Sequence, residues 1–398
     1  MRRLLAAIPP LLLLSACGLN GTDGETDTDE TAAATDGSGT DAMASNDPAP
    51  GEQIEVDLPD SEQRPMMQVQ VVLERLGFGP GVIDGQAGLS TTNALNAFQE
   101  ANGLQATGEL DEASRQALSR WSNIPATRVV TIPEEWGRVA YQPIPDDPAA
   151  QAQMQRLGYE SLDEALAERF HTTIDMLRQL NPGGRPTGAS GTRTAGETPT
   201  PAATASPSPS GSPSATPAPM FRAGQQIRVP NVGADRIDRA SVDNPEWLRT
   251  LASLGVGTQQ PEVARIVVDK SGGWLKAYDE SDKLVAAFTV SSGSEHDPLP
   301  LGDWGVKGVA YNPHFSYDPE LFWDVPDSEE KQQLPPGPNG SVGVVWIDLT
   351  KEHYGIHGTP APESIGRAQS HGCVRLTNWD AARLAEMVTG STKVLFQA

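Results

Sequence analysis

The sequence predicts a multidomain protein with a small all-α domain of three helices, an α/β module with a low-complexity insert, and a mostly β C-terminal domain. Three observations support this prediction. The chain has 398 residues, enough for two or three domains. Its apolar fraction is 37%, below the roughly 45–50% of typical globular chains. Its 39 Gly and 34 Pro favour compact domains separated by unstructured segments. These figures exclude a polytopic membrane protein and a single continuous core.

The charge is concentrated in one part of the chain. The net charge is −23, and residues 18–63 contain thirteen Asp and Glu but no Lys or Arg. Such a segment buries too little apolar surface to fold, so we predict an acidic disordered spacer. A chain this acidic is a poor candidate for binding nucleic acid, because phosphate backbones require clustered Lys and Arg.

Residues 1–17 have the pattern of a secretory signal peptide, with two arginines followed by a short apolar run. The run is too short for a transmembrane helix. It ends in Leu-Ser-Ala-Cys, which resembles a bacterial lipobox. That resemblance implies a lipid anchor on Cys17 and a lipoprotein that faces the periplasm, at the outer membrane in a Gram-negative cell. The alternative is an ordinary signal peptide with a chance cysteine.

Residues 65–121 alternate apolar positions at helical spacing with glycine turns, which predicts three helices. Asp111 is the expected N-cap of the third helix. The run Leu-Gly-Phe, Val-Ile-Asp-Gly, Phe-Gln and Thr-Gly-Glu-Leu-Asp resembles the small peptidoglycan-binding domain found beside cell-wall hydrolases. The resemblance implies that the protein binds peptidoglycan. The alternative is a structural three-helix bundle with no ligand.

Residues 135–230 are predicted as a second module. The capping box at Ser161–Glu164 begins one helix, and a second helix ends at Leu-Asn-Pro-Gly. Residues 186–219 consist of Pro, Ser, Thr, Ala and Gly apart from Arg193 and Glu197, and form a low-complexity insert. The order of helices, insert and a final Gly-Gln-Gln-Ile-Arg-Val-Pro strand resembles a LysM module, which implies glycan binding. The alternative is a connecting helical hairpin.

Residues 262–398 have the texture of a mostly β domain, because short apolar runs are separated by Gly, Pro and Asp. One helix is expected at 379–388, with Thr377 or Asn378 as its N-cap. The predicted strands are 265–269, 274–278, 284–291, 304–309, 342–349, 354–357 and 394–397.

This domain contains the sequence His357-Gly358 and, further along, Ser370-His371-Gly372-Cys373-Val374-Arg375. A single thiol beside cations in a secreted protein is typical of a reactive cysteine. The thiolate is the nucleophile, and neighbouring cations and helix N-termini lower a cysteine's pKa. We therefore expect a lowered pKa for Cys373.

The same residues, with Pro-Leu-Pro-Leu-Gly, Pro-Pro-Gly-Pro-Asn and Thr-Asn-Trp-Asp in the flanks, resemble the L,D-transpeptidase (YkuD-type) catalytic domain. The resemblance implies that Cys373 is the nucleophile and His357 the general base. It also implies that the Gly358 carbonyl holds the other nitrogen of the imidazole. From the sequence alone His371 is a second candidate for the general base. It lies two residues before Cys373, and alternate side chains of an extended segment point to the same side.

The resemblance further implies that His371 lines the site, that amides around Gly372 and Cys373 bind the oxyanion, and that Arg375 orients the substrate. No cofactor or metal is implied. A zinc site formed by His353, His357, His371 and Cys373 is the alternative, since His and Cys are zinc ligands. His171, far from the motif, is expected on the surface.

The function implied by the resemblance is a cysteine L,D-transpeptidase of the cell envelope that acts in cell-wall biogenesis and cell shape. Cys373 would be acylated by a peptidoglycan tetrapeptide stem, D-Ala released, and the acyl group passed to a diaminopimelate amine (a 3-3 crosslink) or to a wall-linked protein's amine. Carbapenems are expected to acylate the same thiol. The alternatives are an L,D-carboxypeptidase using the same site and a non-catalytic wall-binding tether.

Overall fold

The computed structural model describes residues 55–56, 58–189, 219–233, 236–322, 325 and 329–398. These residues belong to one compact unit, Ser45–Ala398. The predicted signal peptide, Cys17, most of the acidic spacer and most of the low-complexity insert lie outside the described residues. Within the described ranges, no helix combines the length and the apolar character needed to cross a bilayer.

The helices and strands follow one another along the chain as three groups. The helices are α1 (Pro65–Arg75), α2 (Leu89–Ala101), α3 (Glu112–Leu118), α4 (Pro148–Gln151), α5 (Leu162–Arg169), α6 (Ile174–Leu180), α7 (Pro245–Leu254) and α8 (Asn378–Ala385). The strands are β1 (Glu55–Val56), β2 (Thr127–Thr131), β3 (Gln226–Pro230), β4 (Arg265–Asp269), β5 (Trp274–Tyr278), β6 (Leu284–Thr289), β7 (Ser291–Ser292), β8 (Gly302–Tyr311), β9 (Phe315–Tyr317), β10 (Gln332–Leu334), β11 (Val345–Leu349), β12 (Gly355–His357), β13 (Val374–Arg375) and β14 (Lys393–Gln397).

Helices α1 to α3 form the predicted helical domain. Pro65 occupies the first position of α1, where a missing N–H removes no helical hydrogen bond. Asp111 caps α3 by accepting a 2.8 Å hydrogen bond from the amide of Ser114, as the sequence indicates. Phe78 and Phe98 pack edge to face in a buried core. The helices therefore share one apolar centre despite the small size of the domain.

The middle unit runs from β2 through α4, α5 and α6 to β3. Strands β2 and β3 pair antiparallel from Thr127↔Pro230 to Thr131↔Gln226, and β1 adds to the outer edge of β2. Strand β2 precedes residue 135, where the sequence places the start of this module. Ser161 caps α5 as predicted, accepting a 3.1 Å hydrogen bond from the amide of Glu164.

The C-terminal domain is built on a nine-stranded mixed sheet in the order β6-β5-β4-β14-β8-β11-β12-β13-β7. All the predicted strands are present: β4 and β5 have the predicted ends, the predicted strand 284–291 is divided into β6 and β7, and the others have shifted ends. Helix α8 begins after its cap Thr377, whose hydroxyl accepts from the amide of Asp380. Helix α7 was not predicted. It lies before residue 262 and buries Trp247 and Leu251 in the core of this domain.

The helical domain covers the edge of this sheet at β6. The amide of Gly79 donates to the carbonyl of Ala287 at 2.8 Å, and the amide of Ala287 donates to the carbonyl of Gly77 at 3.1 Å. Gly77 has a φ of +90°, and a Cβ there would lie 3.0 Å from the carbonyl oxygen of Val285. Only glycine combines this conformation with such close approach. The contact also gives hydrogen-bond partners to backbone N–H and C=O groups of β6 that would be unpaired if this edge strand were exposed.

A buried charged cluster joins all three units. Glu74 of α1 accepts from Arg383 of α8 at 2.9 Å. His171 follows α5, and its Nδ1 lies 3.0 Å from the Glu74 carboxylate while its ring stacks on Trp379 at 4.7 Å. The expectation of a surface His171 is wrong, since its side chain is 2% exposed. His171 lies just after the end of α5 in a left-handed backbone conformation (φ 53°), which directs its ring into the contact between the units.

Burial alone would raise the pKa of Glu74, but the charge of Arg383 and the hydrogen bond from His171 lower that pKa to about 2. Glu74 is therefore ionised between the units. Burial, followed by the charge of Glu74, raises the pKa of the nearby Asp380 to about 8. Asp380 is consequently protonated at neutral pH, and the cluster does not hold two neighbouring carboxylate charges.

We expect Arg383→Met to lower the free energy of unfolding at pH 7 by about 3–5 kcal/mol, because the Glu74 charge loses its cationic partner in a buried site. The pKa of Glu74 is lowered, so its contribution is present above the unfolded value near 4.5 and is lost as the pH falls toward 2. In urea unfolding experiments, the difference in free energy of unfolding between the wild type and Arg383→Met should therefore narrow as the pH falls over that range.

The control is Arg178→Met. Arg178 pairs with Asp175 on the surface, where the two side chains are 51% and 82% exposed. Exposed pairs contribute little because water screens them. Equal losses of stability in the two variants would contradict a special role for the buried cluster.

Candidate active site

The sheet places the two motif segments side by side. Strands β12 and β13 pair in parallel, with Ile356 opposite Val374 and His357 opposite Arg375. The amide of Leu376 donates to the carbonyl of His357 at 2.9 Å and continues the pairing. Cys373 directly precedes β13. Two segments that are separated in sequence thus become neighbours, and His357 and Cys373 line one cavity of about 490 Å³.

His357 is held in one orientation and one tautomer. Its Nδ1 lies 2.7 Å from the carbonyl oxygen of Gly358, so Nδ1 carries the proton and donates it. The ring stacks on Trp346 with 5.5 Å between centroids. The Gly358 hydrogen bond that the resemblance implies is therefore present. It leaves Nε2 as the basic nitrogen of the neutral ring.

The environment of His357 favours the neutral ring. Burial lowers the pKa of His357 to about 4, and the charge of Arg375 acts in the same direction, while the hydrogen bond to Gly358 opposes both. A neutral imidazole can accept a proton at any pH above about 4. This property suits a general base.

The thiol of Cys373 is also neutral at rest. Burial raises the pKa of Cys373 above its usual 9.0 and outweighs a hydrogen bond from the backbone of Gly355 and the charge of Arg375. The expected lowering of this pKa is wrong, because loss of water costs the thiolate more than the nearby cation returns. The thiol points toward the carbonyl of His353, 3.9 Å from Sγ. The resting site is therefore a thiol and a neutral imidazole rather than an ion pair.

The turn before Cys373 is fixed by its neighbours. Gly372 has a φ of +99°, and a Cβ there would lie 2.6 Å from the ring of Tyr354. The hydroxyl of Ser370 donates to the carbonyl of Cys373 at 2.5 Å and accepts from the amide of Gly293 at 2.8 Å. The glycine therefore permits the turn that brings Cys373 to the cavity.

The remaining predicted residues lie at the rim of the cavity. His371 is exposed, and its ring packs edge to face against Phe322 with 5.0 Å between centroids. Arg375 donates to the carbonyl of Gln369 at 2.7 Å. The side chain of His353 is 69% exposed, and its Nε2 lies 3.7 Å from a carboxylate oxygen of Glu352. In the described ranges, no three His, Cys, Asp or Glu side chains lie close enough together to hold a metal ion.

Sequence reasoning missed several residues that shape this site. Trp346 and Tyr354 lie on or beside the strands that flank the motif, and Asn378 packs beneath Gly358. The sequence indicates Asn378 as a candidate helix cap and as part of the Thr-Asn-Trp-Asp flank, but not as a support of the histidine. A signal existed for Trp346, since an aromatic residue in a strand is commonly packed against a cross-strand neighbour, here His357. No local pattern marks the other two residues.

We expect the alkylation rate of Cys373 by iodoacetamide to rise about tenfold per pH unit between pH 7 and 9, because the raised pKa keeps the thiolate scarce. The measurement uses the chain with Cys17→Ser, in which Cys373 is the only thiol. A plateau below pH 7 would instead indicate a preformed thiolate–imidazolium pair and would contradict the neutral resting site.

Comparison with known proteins identifies the C-terminal domain, which contains this site, and the helical domain before it. The family model of the L,D-transpeptidase catalytic domain (YkuD) matches residues 263–395. The family model described as "Putative peptidoglycan binding domain" matches residues 63–118. Both resemblances that the sequence motifs indicate are thereby confirmed.

Individual relatives match mainly in the catalytic domain. The "Putative L,D-transpeptidase YkuD" of Bacillus licheniformis is 34% identical over 140 residues, which are 35% of this chain and 69% of that protein. A protein of the same name in Bacillus subtilis is 51% identical over 57 residues, 14% of this chain and 35% of that protein. A solved L,D-transpeptidase from Mycobacterium smegmatis is 24% identical, covers 34% of this chain and 59% of its own, and has a TM-score of 0.28. The chain therefore belongs to the L,D-transpeptidase family and is an L,D-transpeptidase enzyme with a peptidoglycan-binding domain before its catalytic domain.

Proposed function

We propose that this enzyme forms 3-3 crosslinks in peptidoglycan through an acyl-enzyme on Cys373. The observation that carries the proposal is the His357–Gly358 hydrogen bond, which leaves a basic nitrogen in the cavity that also holds the thiol. A neutral base and a neutral nucleophile in one cavity are the parts that an acyl transfer requires.

In the first step, Nε2 of His357 takes the thiol proton while Sγ of Cys373 attacks the carbonyl carbon of the third residue of a tetrapeptide stem. Backbone amides around Gly372 and Cys373 stabilise the developing oxyanion. The C–N bond to D-Ala then breaks, and the imidazolium returns the proton to the leaving amine. A thioester on Cys373 and free D-Ala remain.

In the second step, the side-chain amine of a diaminopimelate residue attacks the thioester, and His357 takes the proton that the amine releases. The C–S bond breaks and the thiol is restored. Energy conserved in the thioester drives the new amide bond, so no nucleotide is consumed. Arg375 and His371 lie at the rim of the cavity, where they orient the stem peptide. An amine of a wall-linked protein can replace diaminopimelate in the same step.

We expect tetrapeptide-rich sacculi incubated with the chain carrying Cys17→Ser to yield 3-3 crosslinked dimers and free D-Ala, detected by mass spectrometry of the muropeptides. Cys373→Ala should abolish both products, because no other group supplies the nucleophile. His357→Gln should reduce the rate by about 10²–10⁴-fold, the usual contribution of a general base.

The same experiment separates the alternatives. Cys373-dependent tripeptides without dimers would identify water as the acceptor and the protein as a carboxypeptidase. Products that persist in Cys373→Ala would contradict the proposed nucleophile. His371→Gln is the matched control for the base, and a loss larger than that of His357→Gln would transfer the role to His371.

The middle unit supports a proposal of glycan binding. Its helix pair α5–α6 and its antiparallel strand pair β2–β3 agree with a LysM-like module. Asn181 of the Leu-Asn-Pro-Gly motif is buried and bonds α6 to β3, donating to the carbonyl of Arg228 and accepting from its amide. The long insert thus leaves the closing strand in register with the helices.

The sequence before the described residues supports a proposal of membrane anchoring. The signal-like segment ends in a lipobox-like motif at Cys17, and an acidic spacer follows. We propose a lipoprotein that faces the periplasm, at the outer membrane in a Gram-negative cell, with its folded part reaching the wall.

We expect the wild-type chain to incorporate labelled palmitate and to fractionate with membranes, whereas Cys17→Ser should do neither. Because the wall-binding units are unchanged, Cys17→Ser should still pellet with purified peptidoglycan. Chito-oligosaccharides should weaken that pelleting if the middle unit binds glycan. Palmitate labelling that is unchanged in Cys17→Ser would contradict the anchor, and pelleting that is insensitive to chito-oligosaccharides would contradict the glycan site.

A further inference from the structure

The middle unit reaches the catalytic domain beneath the active site. Glu168 lies on α5, and its side chain is buried although it carries a carboxylate. Its Oε1 accepts a 2.7 Å hydrogen bond from Nδ2 of Asn378, 210 residues later in the chain. This buried bond links a predicted wall-binding module to the first residue of α8 in the catalytic domain.

Asn378 supports the backbone that holds the catalytic histidine. Its Oδ1 accepts from the amide of Val344 at 3.2 Å. A Cβ added to Gly358 would lie 2.2 Å from the same Oδ1, so the Gly358 backbone rests directly on this amide. The Gly358 carbonyl in turn accepts from Nδ1 of His357. A continuous line of contacts therefore runs from Glu168 to the imidazole.

Glu168 determines which way the Asn378 amide faces. A carboxylate only accepts hydrogen bonds, so the NH₂ group of Asn378 must face it. The second N–H of that group donates to the carbonyl of Pro338 at 3.0 Å. Both donors are thus used on one side, and Oδ1 is held toward Val344 and Gly358. A flipped amide would place N–H groups against the Gly358 backbone and displace it.

We propose that Glu168 is a positioning residue for His357, which acts through Asn378 and Gly358, and that the middle unit is therefore a working part of the catalytic site. The proposal rests on the general-base role proposed for His357. It assigns to this unit an action on catalysis that is separate from any binding of glycan.

The test compares Glu168→Leu with Glu168→Gln in the chain carrying Cys17→Ser. Leucine removes the acceptor, whereas glutamine can still present an oxygen to Asn378. The matched control is Glu164→Leu on the same helix. The Glu164 carboxylate accepts from Asn339 at 2.7 Å across the same contact between units but does not bond to Asn378.

The first readout is acylation of Cys373 by a carbapenem, followed by intact-protein mass from pH 4 to 8. Glu168→Leu should slow acylation at saturating carbapenem by about ten- to hundredfold, since small misplacements of a catalytic group have effects of this size. The acid side of the pH–rate profile of Glu168→Leu should also move from near pH 4 toward 6.5, the ordinary pKa of histidine, because a displaced His357 ring regains water. Glu168→Gln should stay within threefold of the parent chain.

The second readout is the NMR titration of the His357 ring, assigned by comparison with His357→Gln. This titration reports the position of the ring even if the carbapenem does not acylate the parent chain. Absence of acylation would overturn the proposed function but not the positioning role of Glu168. A parent pKa near 4 that rises in Glu168→Leu but not in Glu164→Leu supports the inference. Unchanged titration in Glu168→Leu, or equal shifts in both leucine variants, would overturn it. If Glu168→Leu does not fold, Glu168→Asp replaces it, because the shorter side chain withdraws the carboxylate oxygen from Asn378. The same changes in acylation and in the His357 titration are then expected of Glu168→Asp.

Discussion

The parallel pairing of β12 with β13 is the constraint on which the active site depends. It brings a histidine and a cysteine from separate segments to neighbouring positions in a buried part of the sheet. Parallel neighbours require a long connection, and here that connection carries the loop that returns to the cavity before Cys373. Every later feature of the site builds on this placement. The Gly358 carbonyl selects the tautomer, and the Ser370 bonds fix the turn before the nucleophile.

Burial determines the resting chemistry of the site. Removal of water disfavours charge on both groups, raising the pKa of Cys373 and lowering that of His357. The nearby Arg375 partly offsets the effect on the thiol and strengthens it on the imidazole. The resting site therefore holds a neutral thiol and a neutral imidazole. Such a site resists unspecific oxidation and alkylation better than an exposed thiolate.

The accessory units are integrated with the catalytic domain through polar contacts. Glu74 and Arg383 form a buried ion pair at one junction, and Glu168 and Asn378 form a buried hydrogen bond at another. Groups of this kind contribute specificity of arrangement, because any displaced arrangement would leave a charge or a donor unpaired in a dry environment. The relative placement of the peptidoglycan-binding domain and the cavity is thus fixed by chemistry within the folded part of the chain.

The sequence alone determined the local elements and the identity of the chemistry. The caps Asp111, Ser161 and Thr377 and the strands of the C-terminal domain follow from patterns that act over a few residues. The His-Gly and Ser-His-Gly-Cys motifs marked the groups that we propose to react. Tertiary structure decided what depends on distant partners. It buried His171 against Trp379, added α7 to the core, raised rather than lowered the pKa of Cys373, and paired Glu168 with Asn378. The physical reason is that desolvation and pairing depend on which surfaces meet, and no local spacing in the chain encodes that.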